Sequence, residues 1–219
     1  MMKSETIKHH NLKKALQEAT KTITIQISDE DLKNLKSSNY NLCFAKKVDG
    51  FDYNLVWQAY GNYLSSNVFS WTPQYQLFGT NNFTPGSVVS TQTNLMTIGL
   101  GESSTLDEFG LLSNPVSGGS IKSISMQNNY GIIYPGIYQV STGIDATIIS
   151  TPIYIAQNAS LKGVLSSLTP LNKVLVWFQQ DIETATMFSS TTGSAAVEID
   201  LTTANTATRF YFNGVWSTV

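Results

Sequence analysis

The sequence predicts an all-β protein, built as an antiparallel two-sheet sandwich and preceded by a short amphipathic helix. From Tyr40 onward, short runs rich in Val, Ile, Thr, Tyr and Phe are separated by turn pairs such as Asp49-Gly50, Gly118-Gly119 and Asn213-Gly214. Many short strands at this spacing are typical of a sandwich or a barrel. A chain of 219 residues can also bury a sizeable core without a disulfide or a metal.

The first 38 residues read differently from the rest. Residues 3–20, KSETIKHHNLKKALQEAT, carry a thin apolar stripe with most lysines opposite it, which predicts a helix that Ser4 could cap. The next stretch, TITIQIS, alternates Ile23, Ile25 and Ile27 with polar residues and predicts a strand. A capping serine and early acids predict a second short helix over residues 28–38. We therefore divide the chain into an N-terminal arm, 1–38, and a β-sandwich domain, 39–219.

Three local features refine the predicted strands. The runs YNLCFAKKV and YNLVWQAY flank a turn at Asp49-Gly50 and predict a β-hairpin. Pro73 interrupts VFSWTPQYQLFGT, which predicts a bulge or a sheet edge there, because proline cannot donate to the ladder. Cys43 is the sole cysteine and lies in an apolar run, so we expect a buried, inert thiol.

One phrase occurs twice, at Leu55–Trp57 and Leu175–Trp177, and each copy leads after a polar stretch to Phe-Ser. In a strand the Leu and the Trp share a face, so each copy would present a large apolar pair. Packing two such units face to face would bury both. The repeat thus favours a pseudo-twofold sandwich, and chance resemblance between two amphipathic segments is the alternative.

The charge content limits the classes of partner. Charged residues make up 13% of the chain, about half the usual share, so the surface relies on Ser, Thr, Asn and Gln and loses few charges on contact. Residues 1–50 hold nine of the thirteen basic residues against six acids, and the remainder holds four against nine. A basic front and an acidic body favour head-to-tail homo-oligomers. A solvated basic helix without a partner is the alternative.

Several activities are disfavoured, and we predict a non-enzymatic protein. His9 and His10 are adjacent on the predicted helix and cannot share a metal by helical spacing, and no other histidine could serve as a general base. Arg209 is the only arginine, no phosphate-binding loop motif occurs, and the acidic body would repel nucleic acid. The polar N-terminus and the lack of a long apolar run predict cytoplasmic synthesis without a signal peptide. Action outside the cell would follow release by lysis or a specialised route.

Four acidic residues form the first candidate site. Asp181 and Glu183 are two residues apart on one predicted strand, and Glu198 and Asp200 are two apart on another. If the strands pair as a hairpin, the four carboxylates would cluster and could hold Ca²⁺, the only cofactor that we consider. Paired acids could instead hydrolyse a glycoside, and a solvated acidic face is the third interpretation.

Aromatic residues near turns form the second candidate site. Rings stack on sugars and also settle at a bilayer interface, while neighbouring amides bind hydroxyl groups. Placement of the rings in the core is the alternative interpretation. The ligand-binding candidates are Trp71, Tyr75, Tyr130, Tyr134 and Tyr138.

A predicted sandwich with an amphipathic N-terminal helix and an aromatic-rich face resembles, in architecture, the small pore-forming toxins of the actinoporin kind. No sequence motif of that family is found. The first hypothesis is a non-enzymatic, oligomerising protein that binds glycan- or lipid-bearing surfaces, lectin-like or toxin-like. The second is a structural subunit whose assembly arm, with Ile23, Ile25 and Ile27, adds a strand to a neighbour. The third is a carboxylate-dependent glycosidase.

Overall fold

The computed structural model describes residues 19–189 and 195–218, and within these ranges the chain is mostly β, as predicted. The helix predicted over residues 3–20 lies almost wholly outside the described residues. In chain order the elements are β1 (Lys21–Ile27), α1 (Asp29–Ser37), β2 (Asn41–Val48), β3 (Gln58–Tyr60), β4 (Ser66–Thr80), β5 (Met96–Ile98), β6 (Glu102–Leu106), β7 (Val116–Ser117), β8 (Ile124–Asn128), β9 (Tyr134–Thr142), β10 (Ile148–Ile155), β11 (Leu165–Leu168), β12 (Pro170–Gln179), β13 (Val197–Asp200), β14 (Thr206–Phe212) and β15 (Val215–Thr218).

The described strands form three sheets rather than the two predicted. Sheet A has the order β10-β9-β4-β1-β14-β15 with β5 paired to β4, sheet B the order β13-β12-β2-β3, and sheet C the order β11-β8-β6-β7. The expectation of purely antiparallel pairing is also wrong, since β1 pairs with β14 and β6 with β8 in parallel. Parallel neighbours need a long crossover, and strand patterns alone do not reveal which distant segments such a crossover joins.

Strand β1 lies inside sheet A. It pairs antiparallel with β4 and parallel with β14, and its three isoleucines, Ile23, Ile25 and Ile27, are buried. The predicted strand is therefore confirmed, and its pairing partners belong to the same chain. The division at residue 38 stays a prediction, but the strand of the predicted arm shares a sheet with the body.

The second predicted helix is confirmed as α1. Ser28 caps it, with the side-chain oxygen accepting a hydrogen bond from the Asp31 backbone N–H at 3.2 Å, and three acids occupy the first turn. This arrangement satisfies a backbone donor and complements the positive end of the helix dipole. Leu35 packs into the main core and holds the helix against the sheets.

Sheets A and B pack face to face in a sandwich-like arrangement. Phe44 of β2 stacks on Phe69 of β4 with ring centroids 4.4 Å apart, and Phe178 of β12 stacks on Trp216 of β15 at 5.6 Å. Offset aromatic pairs stabilise a core beyond the area that they bury. Sheet C adds apolar side chains to the same core, namely Leu106, Ile124, Met126 and Leu168.

The two copies of the repeated phrase have unrelated environments, so the pseudo-twofold interpretation is wrong. Trp57 lies between sheets A and B, where its ring is 5.0 Å from that of Phe69. Trp177 packs on a different cluster with Cys43 and Phe188. Trp57 lies just before the short strand β3, whereas Trp177 lies within β12, so the alternation expected of two equivalent strands could not apply to both.

The other local predictions are confirmed, the first of them in part. Strands β2 and β3 pair antiparallel around the predicted turn, but β3 spans only Gln58–Tyr60, so residues 53–57 of the predicted strand precede it. The register of β4 against β9 shifts between Trp71 and Tyr75, which places Pro73 in a bulge of an internal strand. Cys43 is fully buried, and burial raises the pKa of its thiol to about 12.

Candidate functional site

The predicted ligand-binding aromatics do not come together. Trp71 and Tyr75 lie on β4 and are buried rather than presented at a turn. On β9, Tyr134 and Tyr138 pack against an inner cluster, with the Tyr138 ring 4.9 Å from that of Phe78. Only Tyr130 is strongly exposed. Their part in ligand binding stays a prediction, and the geometry supports it best for Tyr130.

The four carboxylates are only partly assembled. The hairpin of β12 and β13 forms as predicted. However, β12 ends at Gln179, so Asp181 and Glu183 lie beyond the strand, and Asp181 has a φ of +51°. Their predicted strand placement is wrong because the chain turns earlier than the alternation suggested. Among the described residues, no group of three His, Cys, Asp or Glu is arranged to hold a metal ion.

On β13, Glu198 and Asp200 share an exposed face with a lysine. The Lys173 ammonium lies 3.4 Å from a Glu198 oxygen and 3.1 Å from an Asp200 oxygen, and these contacts raise the lysine pKa. The pKa of Asp200 falls to about 2, first because Thr202 donates to its carboxylate and then because of Lys173. The pair therefore acts as a surface ion cluster with its own countercharge.

Thr202→Val should raise the pKa of Asp200 toward the ordinary value of 3.8, because the hydroxyl of Thr202 is its main stabilising donor. Because the pKa of Asp200 is depressed in the folded state, its carboxylate stabilises the protein at every pH above the ordinary pKa of 3.8. This stabilisation is lost as the pH falls through about 2, and the variant should lose it at a higher pH. A carboxyl-carbon NMR titration measures the midpoint. Lys173→Met is the comparison and should give the smaller rise. An unchanged midpoint in Thr202→Val would contradict the assignment.

A different set of exposed apolar side chains forms a surface that we name the apolar rim. It comprises apolar residues on the turns that follow β6, follow β8 and precede β11, together with Leu165, the first residue of β11. Its aromatic members are Phe109, exposed by 79%, and Tyr130, exposed by 45%. The members are Phe109, Leu111, Tyr130, Ile132, Leu161, Val164 and Leu165.

Asn128, at the end of β8, joins two of these turns. It is fully buried, and its side-chain amide donates to the carbonyl oxygens of Gly131 (2.7 Å) and Ser160 (3.0 Å). Its backbone accepts from Gly163 N–H at 2.6 Å and donates to the Val164 carbonyl at 3.0 Å. One buried residue thereby fixes the turn after β8 against the turn before β11.

The third turn is held from its own side. The Asp107 carboxylate accepts backbone hydrogen bonds from Phe109 and Leu111, each at 2.9 Å. A methyl group built at Gly110 would lie 3.5 Å from the Tyr130 ring, so the turn after β6 touches the turn after β8. The rim is thus a set of apolar side chains on turns that the hydrogen bonds of Asn128 and Asp107 hold in place.

Sequence reasoning missed the rim except for Tyr130. The available signal was a glycine with large apolar neighbours in each turn, as in Phe109-Gly110-Leu111 and Tyr130-Gly131-Ile132, with Gly163-Val164 in the third. A glycine in a turn favours exposure of its neighbours, so such triplets differ from buried runs. An exposed contiguous apolar surface marks an interaction site more often than isolated exposed residues do.

Comparison of the chain with protein-family models, with curated proteins and with solved structures finds no match. Within the described part of the chain, no helix has both the length and the apolar character required to cross a membrane.

Proposed function

We propose that the protein is a non-enzymatic, oligomerising surface-binding protein that attaches to lipid-bearing surfaces through the apolar rim. The observation that carries the proposal is the convergence of seven exposed apolar side chains on or next to turns that hydrogen bonds from Asn128 and Asp107 hold in place. The transfer of large apolar and aromatic side chains from water to the interfacial region of a bilayer lowers the free energy.

A bilayer suits the rim better than a rigid partner does. The side chains project from separate turns, and a fluid lipid phase can surround each tip without a complementary shape. Lys162 is the only basic residue among residues 107–111, 129–132 and 161–165, where Asp107 and Glu108 are the acids. Attachment should therefore depend on apolar insertion rather than on attraction to anionic lipids.

Replacing Phe109 with serine should weaken binding to phosphatidylcholine vesicles about tenfold, because a buried aromatic side chain contributes about 1.5–3 kcal/mol of transfer free energy. Vesicle flotation measures the bound fraction, and high salt should change it little. Phe212→Ser is the matched control, since Phe212 is a half-exposed phenylalanine on β14, outside the rim.

Three results would count against lipid attachment. They are an absence of flotation by the wild-type protein, equal losses in both serine variants, and binding only to glycans in a panel assay. Self-association on the surface is tested in the same samples by chemical cross-linking with and without vesicles. Cross-linked species that form only with vesicles support the oligomerising part of the proposal, and monomers under both conditions contradict it.

The structural-subunit alternative receives less support from the geometry. Strand β1 already has a partner on each side within its own chain, so addition to a neighbour would require two copies to exchange it. The glycosidase alternative needs acidic residues of the set Asp181, Glu183, Glu198 and Asp200 in a cleft. The last two share an exposed face with Lys173, and the first two lie beyond the end of β12. Neither alternative rests on an observation as specific as the rim.

A further inference from the structure

A hydroxyl-lined cleft opens where β4 bulges, next to the end of β9 that is farther from the apolar rim. The cleft has a volume of about 380 Å³ and lies where Ser70 pairs with Thr142 and Trp71 pairs with Ser141. None of the described residues that line it is acidic. Five of them carry hydroxyl groups, namely Thr20, Ser70, Thr72, Ser141 and Thr142.

Two of these hydroxyls are buried and have no hydrogen-bond partner among the described residues. They are the hydroxyls of Thr72 and Ser141. The Trp71 indole N–H is likewise buried and has no hydrogen-bond partner among the described residues. Folded proteins pair nearly all their buried polar atoms. Three such atoms belong to residues that line one cleft, and together they indicate a polar group that binds beside them.

Lys46 does not line the cleft itself but lies beside Trp71, one of the residues that do. Its side chain extends from β2 into the space between sheets A and B and is only 1% exposed. The ammonium lies 4.2 Å from the centroid of Trp71 and 5.6 Å from that of Trp57, and no described residue accepts a hydrogen bond from it. The indole faces offset part of the cost of burying the cation but do not neutralise it.

The other charged group that acts on Lys46 is also a cation. Lys21 of β1 pairs in register with Trp71, and its ammonium donates to the Ala204 carbonyl and the Asn205 side chain at 2.8 Å each. Burial first and the charge of Lys21 second lower the pKa of Lys46. Two lysines therefore lie next to Trp71 of the cleft wall, and no acidic residue is among the described residues that line the cleft.

We propose that the cleft binds the phosphate group of a soluble phosphate ester. Phosphate oxygens would accept from the Thr72 and Ser141 hydroxyls, and the negative charge would compensate Lys46 and Lys21. The cleft is larger than a phosphate, which leaves room for part of the esterified group. The cleft and the apolar rim lie at opposite ends of β9, roughly 25–30 Å apart at the usual rise per residue. A protein attached through the rim would therefore hold the cleft away from the same bilayer, which favours a soluble ligand over a lipid headgroup.

The test is a titration of wild-type protein with inorganic phosphate, followed by thermal unfolding, against chloride at equal ionic strength. Phosphate should raise the melting temperature in a saturable way, since a ligand that binds only the folded state stabilises it. Lys46→Met and Ser141→Ala should each weaken the apparent affinity about tenfold. Lys122→Met, a change at an exposed lysine outside the cleft, should leave it unchanged.

The proposal is overturned if phosphate acts no differently from chloride, or if both cleft variants bind as the wild type does. Binding to phosphatidic acid vesicles without binding to inorganic phosphate would also overturn it, because the ligand would then be a lipid. Ser141→Ala serves as the second probe should Lys46→Met change the fold. Phe109→Ser should retain phosphate binding, so the cleft and the rim can fail independently.

Discussion

Gly136→Ala is expected to lower the free energy of unfolding by about 3 kcal/mol, a large effect for a single methyl group. Gly136 lies on β9, opposite Phe78 of β4 and Ile155 of β10. A methyl group there would overlap the Phe78 ring and lie 2.8 Å from the backbone oxygen of Tyr154. Phe78 is fully buried and packs edge-on against Tyr138, so its ring cannot move aside cheaply.

Gly131→Ala is the matched control for this prediction. Gly131 is five residues earlier, and an added methyl group would have no neighbour within 4 Å. Its backbone is outside the left-handed region, so alanine should change the stability by less than about 0.5 kcal/mol. Urea unfolding of both variants gives the comparison. Similar midpoints for the two would show that β4, β9 and β10 are not packed as closely as described.

Lys46→Met is expected to raise the free energy of unfolding at neutral pH by about 1–4 kcal/mol, measured without phosphate. Methionine fills a similar volume without a charge, whereas the lysine ammonium is buried between two indoles without a hydrogen-bond acceptor. Because the indole faces favour the cation, we expect a gain in the lower half of this range. A destabilised variant would contradict the prediction.

The pH dependence gives a second readout of the same variant. Burial lowers the pKa of Lys46 below its ordinary value of 10.5, so between the two values the unfolded chain holds more protons at this site. The lysine's contribution to stability therefore rises with pH across that window, and it is most unfavourable below the folded-state pKa. The stability gap between Lys46→Met and the wild type should shrink as the pH rises toward 10.5.

Other buried groups change the stability with pH in the opposite direction, so the stability of Lys46→Met must be compared with that of the wild type at each pH. Burial raises the pKa of Tyr63 and of Cys43 to about 12 each, so alkaline pH favours the unfolded chain at these sites. The wild type and Lys46→Met both carry these groups, so their contribution cancels in the comparison. A gap that does not change with pH would mean that Lys46 keeps its ordinary pKa.

Much of the local structure could be predicted because local rules decide it. The alternation of Ile23, Ile25 and Ile27 follows from the pleat of a strand, and Ser28 begins α1 through its capping hydrogen bond. The arrangement of sheets could not be predicted in the same way. Which strands become neighbours depends on contacts between distant segments, and neither the third sheet nor the parallel pairing of β1 with β14 has a local signal.

The candidate sites were harder to predict than the strands. In the run NLCFAKKV, Lys46 has the same parity as Leu42 and Phe44, which would place it inside, but lysine is ordinarily taken as exposed. Tyr75 was expected near a turn, yet it lies in the strand that resumes after the bulge and faces the core. At both positions strand parity indicates the buried side, whereas side-chain chemistry alone favours an exposed one.

The position of β1 in sheet A also constrains when the protein can fold. Its neighbour β14 joins it through pairs such as Thr22 with Thr206, so one side of a central strand stays open until nearly the whole chain has left the ribosome. Such high contact order predicts folding on a timescale of about milliseconds to seconds. Until then β1 exposes an apolar edge, and newly made chains held at high local concentration would be most prone to mispair at this strand.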